Sequence, residues 1–170
     1  MKSTELKAIQ SPLKQKYKTD PGSAMVTLKA EGVLGEGVTC KIETGRALAE
    51  AGLHPATGGT GVFACSGDML LEALAACAGV TMSAVASSIG VELRSGKVTA
   101  EGDLDFRGTL AVSKETPVGL QNIRITFTLD TDADEEQLNT LVKLTERYCV
   151  VYQTLKHPPT EDNWKVVVEK

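Results

Sequence analysis

The longest apolar segment of the sequence, residues 69–89, decides most about how this chain can fold. Its apolar residues recur three and four positions apart, which is the period of an α-helix, and Glu72 is the only charged residue among them. A helix that is apolar on every face has to be covered on every face. The many alanines allow neighbouring backbones to come close. We therefore predict a buried central helix that ends at Gly90, with the other elements packed around it.

The residues just before this segment have the pattern of a helix start. Ser66 is the predicted N-cap, because its hydroxyl can accept a hydrogen bond from an unpaired amide of the first turn. Asp68 falls in that first turn, where a carboxylate meets the positive end of the helix dipole.

Two pairs of alternating segments, one before and one after the central helix in the sequence, predict antiparallel strands. Residues 25–30 and 38–43 alternate and are joined by a glycine-rich turn, which is typical of a hairpin. Residues 97–108 and 123–129 also alternate and form a second predicted pair, with a bulge at Gly102.

A second long helix is predicted to begin at residues 132–135, where the sequence resembles a capping box, and to end at 156–159. Its apolar face includes Cys149, which is therefore predicted to point inward. A final strand is predicted over 164–169, and a short helix over 46–51.

The first 24 residues are polar and rich in lysine, and a turn at 20–22 closes them, so we expect a short strand or an arm. The order of strands, helix, strands, helix and strand gives an α+β class with mainly antiparallel sheets around the long central helix. A length of 170 residues suits a single domain over 1–170.

The charge balance disfavours nucleic acid as a partner. The formal net charge is −4 and the pI is about 5.3, without a basic run that would follow a phosphate backbone. No uninterrupted apolar stretch reaches membrane-spanning length, and residues 1–5 lack an apolar leader core. These features predict a cytoplasmic protein without a membrane partner.

Four cysteines are the candidate reactive groups: Cys40, Cys65, Cys77 and Cys149. They include no Cys-x-x-Cys pair and have no histidine at metal-ligand spacing, so we expect no metal site. In a reducing compartment such cysteines are small buried residues or reactive thiols.

Cys77 and Cys149 lie on the core faces of the only two long predicted helices, so the two thiols meet if these helices pack. We assign Cys40 and Cys65 to packing. A thiolate in an apolar pocket needs a cation or hydrogen-bond donors nearby. Arg46 is the best-placed candidate cation, because it begins the segment that leads to the central helix. Its alternative role is that of a solvated surface arginine.

Two motifs resemble a known family. The run GDMLLEALAAC at 67–77 resembles the central-helix signature of the OsmC and Ohr proteins, in which a carboxylate starts the helix and an Ala-rich stretch leads to the reactive cysteine. The run YCVVYQTL at 148–155 is similar to the family's second-cysteine motif, which is usually Cys-Pro-Val-Ser followed by a short tail ending in Leu. With the order of elements, the resemblance covers residues 25–169.

The resemblance implies an intertwined homodimer that reduces hydroperoxides without a metal, flavin or other cofactor. Cys77 would be the peroxidatic nucleophile and Cys149 the resolving thiol, and an external dithiol would reopen their disulfide. Asp68 matches the carboxylate that orients the family's activating arginine. That arginine comes from the N-terminal hairpin, whereas here no arginine precedes Arg46.

Two other functions stay open on the sequence alone. The same fold can serve as a non-catalytic binding protein that holds a lipid-like ligand in the apolar pocket around the helices. A different thiol chemistry, such as hydrolysis, requires a histidine near Cys77. The candidates are His54 and His157, which both adjoin a proline and are predicted to be exposed turn residues.

Overall fold

The computed structural model describes residues 3–34, 40–42, 52–62 and 64–158. Within these ranges the helices are α1 Ser3–Thr19, α2 Ser66–Ile89, α3 Phe106–Thr109, α4 Glu135–Tyr148 and α5 Val150–Lys156. The strands are β1 Met25–Leu34, β2 Cys40–Ile42, β3 Ser95–Asp105 and β4 Gln121–Asp130. They form one antiparallel sheet in the order β2-β1-β3-β4. The predicted α+β class is confirmed.

Both predicted strand pairs are present. In the hairpin, Leu34 of β1 lies opposite Cys40 of β2, and β1 extends further than the sequence pattern indicates. β3 pairs with β4 along most of its length, as predicted. β1 and β3 also pair with each other, and this pairing joins the two predicted units into a single sheet.

The irregularity predicted at Gly102 is confirmed, although the inserted residue belongs to the partner strand. The β3–β4 register shifts between Glu101 and Asp103. Opposite this shift, Asn122 of β4 takes a positive φ of 50°. A Cβ atom at Gly102 would lie 3.1 Å from the end of the Leu120 side chain, which would have to shift by a few tenths of an ångström to admit it.

Helix α2 lies against the sheet and forms the centre of the core. Its residues Leu71, Leu74 and Ala78 are fully buried against β3 residues such as Val98 and Ala100. Among the described helices, α2 alone is long and apolar enough to cross a membrane, a test that core helices also pass.

The ends of α2 confirm one prediction and correct another. Gly90 ends the helix in the left-handed conformation, with φ of 75°, and its amide bonds the Ala86 carbonyl. At the other end, Cys65 takes the N-cap position because its backbone is extended (φ −79°, ψ 135°), and its side chain makes no cap hydrogen bond. Ser66 is therefore the first helical residue and not the predicted cap.

One side of α2 is left uncovered by the residues that the structure describes. Met69, Leu70 and Val80 are 42%, 39% and 36% exposed, although the sequence predicts a helix covered on every face. The sheet covers one side of α2, and α4 and α5 cover part of the rest.

The second long helix of the prediction is two helices. α4 begins with a capping box, but Asp134 and Gln137 form it, two residues later than the pattern predicted at 132–135. It ends at Cys149, whose extended backbone (φ −71°, ψ 106°) also serves as the N-cap of α5. The extended backbone of Cys149 interrupts the helix at this position. Its side chain still points inward and is 1% exposed.

The N-terminal segment is a helix and not the predicted short strand or arm, even though α1 contains Pro12. Ile9, Leu13 and Tyr17 recur every fourth position, and the last two of them pack inward. Leu13 contacts the core, and the buried Tyr17 donates from its hydroxyl to the Ala56 carbonyl at 2.6 Å. Tertiary packing of this stripe outweighs the polar composition. The elements predicted over 46–51 and 164–169 lie outside the described residues.

Candidate functional site

The structure brings Cys77 and Cys149 together. Cys77 lies in the middle of α2 and is half-buried, while Cys149 occupies the junction of α4 and α5. The two thiols are neighbours, since each one shifts the pKa of the other, and both are free. The packing of α2 against α4 and α5 therefore brings the two thiols together, as the positions of these cysteines on the helix faces predict.

Hydrogen-bond donors around Cys77 favour its negatively charged form. Burial by itself raises the pKa of Cys77. Four donors oppose this effect and together leave the pKa of Cys77 below its usual value. In order of their effect, they are the Val151 amide, the Cys149 thiol, the Thr81 hydroxyl and the Val150 amide. None of these groups carries a charge.

The pKa of Cys149 is shifted in the opposite direction. Burial, and then the neighbouring Cys77 sulfur, raise the pKa of Cys149 to about 11. The amides of Val151 and Tyr152 lie towards its sulfur and oppose this effect, but they close no cap hydrogen bond with the side chain. Near neutral pH, Cys149 therefore keeps its proton and can donate it in a hydrogen bond to a thiolate at Cys77.

The break at Cys149 explains why backbone amides reach Cys77. A helix has unpaired amides in its first turn, and α5 begins immediately after Cys149. Its first two amides, those of Val150 and Val151, are the ones that act on Cys77.

The arginines in the described part of the chain are engaged with other partners. Arg94 pairs with Asp130 and Asp132, Arg107 with Asp105, and Arg124 with Glu101 and Asp103, while Arg147 lies over the Tyr148 ring. The predicted cation, Arg46, lies outside the described residues.

Asp68 lies in the first turn of α2 as predicted, with His54 and Glu72 as its electrostatic neighbours. Burial raises the pKa of Asp68, and the electrostatic effect of His54 lowers it in part. Burial and then the Asp68 charge raise the pKa of Glu72. Asp68 precedes Cys77 by nine positions, about 13 Å along the helix axis. The carboxylate therefore reaches the thiol only through an intermediary.

The two histidines differ in their surroundings. His54 is half-buried, stacks on Phe106 with ring centroids 4.8 Å apart, and accepts the Ala56 amide at Nδ1. The prediction of an exposed turn residue is wrong for His54, because the Phe106 ring covers one side of the imidazole. His157 is exposed at the end of α5, as predicted.

An apolar groove of about 460 Å³ borders Cys149. Its lining comes from α2, β4, α4 and α5 and includes Leu74, Ile125, Phe127, Tyr152 and Leu155. Glu146 and Lys156 are its charged residues. In the parts of the chain that the structure describes, no group of three His, Cys, Asp or Glu side chains is arranged to hold a metal ion.

Sequence reasoning missed two parts of the site. The first is Thr81, whose position four residues after Cys77 is a helix-face signal that was available in the sequence. The second is the pair of amides from Val150 and Val151. Backbone groups leave no mark in a side-chain pattern, and the helical periodicity continues through the break at Cys149.

Comparisons with known proteins identify the family and the fold. The model of the family described as OsmC-like protein matches residues 59–162, which is more than half of the chain. The crystal structure of an OsmC-like hydroperoxide resistance protein from Jannaschia sp. CCS1 is similar, with a TM-score of 0.57 and 18% sequence identity. That match covers 81% of this chain and 91% of the other, and at this identity it shows a shared fold. No curated protein matches the sequence significantly.

Proposed function

Because this chain belongs to the family of OsmC-like proteins, we propose that it is a thiol-dependent peroxidase that reduces organic hydroperoxides through Cys77 and Cys149. The observation that carries the proposal is the contrast between two neighbouring thiols. Hydrogen-bond donors lower the pKa of Cys77, and burial raises the pKa of Cys149 to about 11. A peroxidatic thiol has to be ionised, whereas a resolving thiol can wait in its protonated form.

In the first step, the Cys77 thiolate attacks the distal oxygen of the hydroperoxide, the one that carries the hydrogen. An S–O bond forms, the O–O bond breaks, and the electron pair of that bond leaves with the alkoxide, which takes a proton from solvent to become an alcohol. Cys77 is then a sulfenic acid. The peroxide has been reduced by two electrons and the sulfur oxidised by two.

In the second step, the sulfur of Cys149 attacks the sulfenic acid sulfur of Cys77. A disulfide forms, and the hydroxyl leaves as water with the proton of the Cys149 thiol. An external dithiol then reduces the disulfide and is itself oxidised, which returns both cysteines to thiols. This cycle suits the reducing cytoplasm.

We retain Arg46 and Asp68 as proposed activating residues, with Asp68 orienting Arg46 by an ion pair and Arg46 stabilising the thiolate. The role of Asp68 rests on the family resemblance, whereas the role of Arg46 rests on its place in the sequence, ahead of the central helix. The direct test is the pH profile of Cys77 alkylation in Arg46→Met, which keeps an aliphatic side chain and removes the charge. Loss of the cation is expected to raise the thiol pKa by about 1 to 2 units.

We also propose a homodimer. The uncovered side of α2, with Met69, Leu70 and Val80, supports an interface, since large apolar side chains of a central helix are stabilised by burial. A second copy of the chain is the partner that the family resemblance implies.

The proposed activity is tested by intact mass after one equivalent of cumene hydroperoxide. Wild type is expected to lose two hydrogen atoms as the disulfide forms. Cys149→Ser is expected to gain one oxygen atom at Cys77, which dimedone traps as the sulfenic acid. Cys65→Ser is the matched control and should behave as wild type. Unchanged wild-type mass together with unconsumed peroxide would contradict the proposal.

The apolar groove beside Cys149 favours a second candidate, the non-catalytic binding of a lipid-like molecule. Peroxide consumption that is lost in Cys77→Ser separates the two candidates. Thiol hydrolysis has less support, because His54 is stacked on Phe106 and His157 is exposed at the end of α5.

A further inference from the structure

Thr81 is a polar residue in an apolar part of α2. Between Leu70 and Met82, the only polar side chains are Glu72, Cys77 and Thr81, and Thr81 carries the only hydroxyl between Ser66 and Ser83. Residues four positions apart on a helix lie one above the other on the same face. The hydroxyl therefore sits one turn beyond the reactive sulfur, and both residues are half-buried.

The Thr81 hydroxyl is not used by its own helix. Hydroxyls within helices commonly donate to a carbonyl three or four residues earlier. Ser83 does so to Gly79 at 3.0 Å, and Thr145 does so to Leu141 at 2.8 Å. Among the hydrogen bonds of the described residues, Thr81 makes none of this kind. Its hydroxyl therefore stays available to the Cys77 side chain one turn away, whose pKa it lowers.

We propose that Thr81 is a further catalytic residue, whose hydroxyl donates a hydrogen bond to the Cys77 thiolate and holds it ready for attack on the peroxide. The hydroxyl keeps its own proton, so the electron and proton balance of the cycle is unchanged. The inference rests on the proposed function for the peroxide step, but the stabilisation of the thiolate is a separate property that can be measured without peroxide.

The apolar surroundings of Cys77 increase the effect of each hydrogen-bond donor on the pKa of its thiol. Leu74 and Ala78 on its own helix are fully buried and apolar. Of the titratable groups on the elements packed against this face, Cys149 interacts with Cys77, while Glu146 and Lys156 line the groove that Cys149 borders. Among the described residues, the groups that lower the pKa of Cys77 are uncharged donors, so the removal of one should shift the titration measurably.

The experiment is the pH dependence of iodoacetamide labelling at Cys77 in wild type, Thr81→Val and Thr81→Ser, with labelling measured by site. Valine has the shape of threonine without the hydroxyl. We expect Thr81→Val to raise the midpoint by about one pH unit, which lowers labelling below the midpoint about tenfold. Thr81→Ser should restore the wild-type profile, a rescue that a purely structural role does not predict.

Ser83→Ala is the matched control, because it removes a hydroxyl from the same helix that is already bonded to Gly79. If Thr81→Val unfolds, Thr81→Ala replaces it in the same comparison. A wild-type profile in a folded hydroxyl-free variant overturns the role of Thr81 while leaving the peroxidase proposal intact. A shifted profile in a protein that consumes no peroxide supports the role of Thr81 and contradicts the proposed activity.

Discussion

Val150 is where this chain departs from the second-cysteine motif in a way that has a chemical consequence. The family pattern has proline after the second cysteine, and proline has no N–H group to donate. Valine at this position has an amide, and that amide is one of the groups that lower the pKa of Cys77. A donor from the backbone thus contributes at a site whose proposed activating cation, Arg46, also departs from the family pattern.

Val150→Pro tests this contribution with little expected disturbance of the fold. Proline suits the first position of a helix, and the extended backbone of Cys149 suits the residue before a proline. The Val150 side chain is 70% exposed, so little packing is lost. We expect the midpoint of Cys77 alkylation to rise by up to about one pH unit. Val150→Ala retains the amide and is the control; identical midpoints in the two variants would contradict the assignment.

The order in which the cysteines react is a second prediction for single residues. At pH 7, Cys77 should react with iodoacetamide before Cys149, because donors stabilise the Cys77 thiolate while burial keeps Cys149 protonated. Cys77 should also react before Cys65, which is not part of the thiol pair. As pH rises towards 11, Cys149 ionises and should begin to label. Faster labelling of Cys65 in the folded protein would show that the assignment of Cys77 is wrong.

Among the helices and strands, those with a strong period were predictable from the sequence. The apolar run of α2, the alternation of β3 and β4, and the capping box of α4 each determine an element locally. α1 was not predictable in this way, because Pro12 and a polar composition argue against a helix. What stabilises α1 is tertiary contact, such as the hydrogen bond from the Tyr17 hydroxyl to the Ala56 carbonyl. The break at Cys149 was hidden as well, since α5 resumes the helical pattern at once.

At the candidate site, too, the sequence predicts side-chain positions on a regular helix but not the contributions of the backbone. The pairing of Cys77 with Cys149 follows from two helix faces that can be read in the sequence. The contribution of Val150 and Val151 depends on where α5 begins, which is a property of backbone direction and tertiary packing.

The capping box of α4 gives a prediction at the level of one element. Asp134 accepts the Gln137 amide at 2.8 Å, and the Gln137 side chain accepts the Asp134 amide at 3.0 Å. Asp134→Ala removes the first bond and should lower the free energy of unfolding by about 1 kcal/mol. Glu136→Ala, in the same first turn, should cost only a few tenths of that amount. Urea unfolding measures both, and equal midpoints would contradict a role for the cap.

For the whole molecule, the side of α2 that the described residues leave uncovered is the main unexplained feature. Four large apolar residues of this helix are exposed, and Tyr148 and Val150 near the thiol pair are 57% and 70% exposed. Apolar surface beside a proposed reactive site favours association with a second copy, which would bury it and exclude water from the thiols.

The last prediction follows from this surface. Wild type at micromolar concentration should scatter light as a particle of twice the chain's 18.0 kDa. Val80→Glu places a carboxylate on the uncovered side of α2, and burial of an unpaired charge costs several kcal/mol, so dissociation should move to concentrations at least about a hundredfold higher. Val118→Glu is the matched control, since Val118 is 62% exposed in the loop between α3 and β4, and it should remain dimeric. A folded wild-type monomer would contradict the homodimer, as would a Val80→Glu protein that is as dimeric as the control.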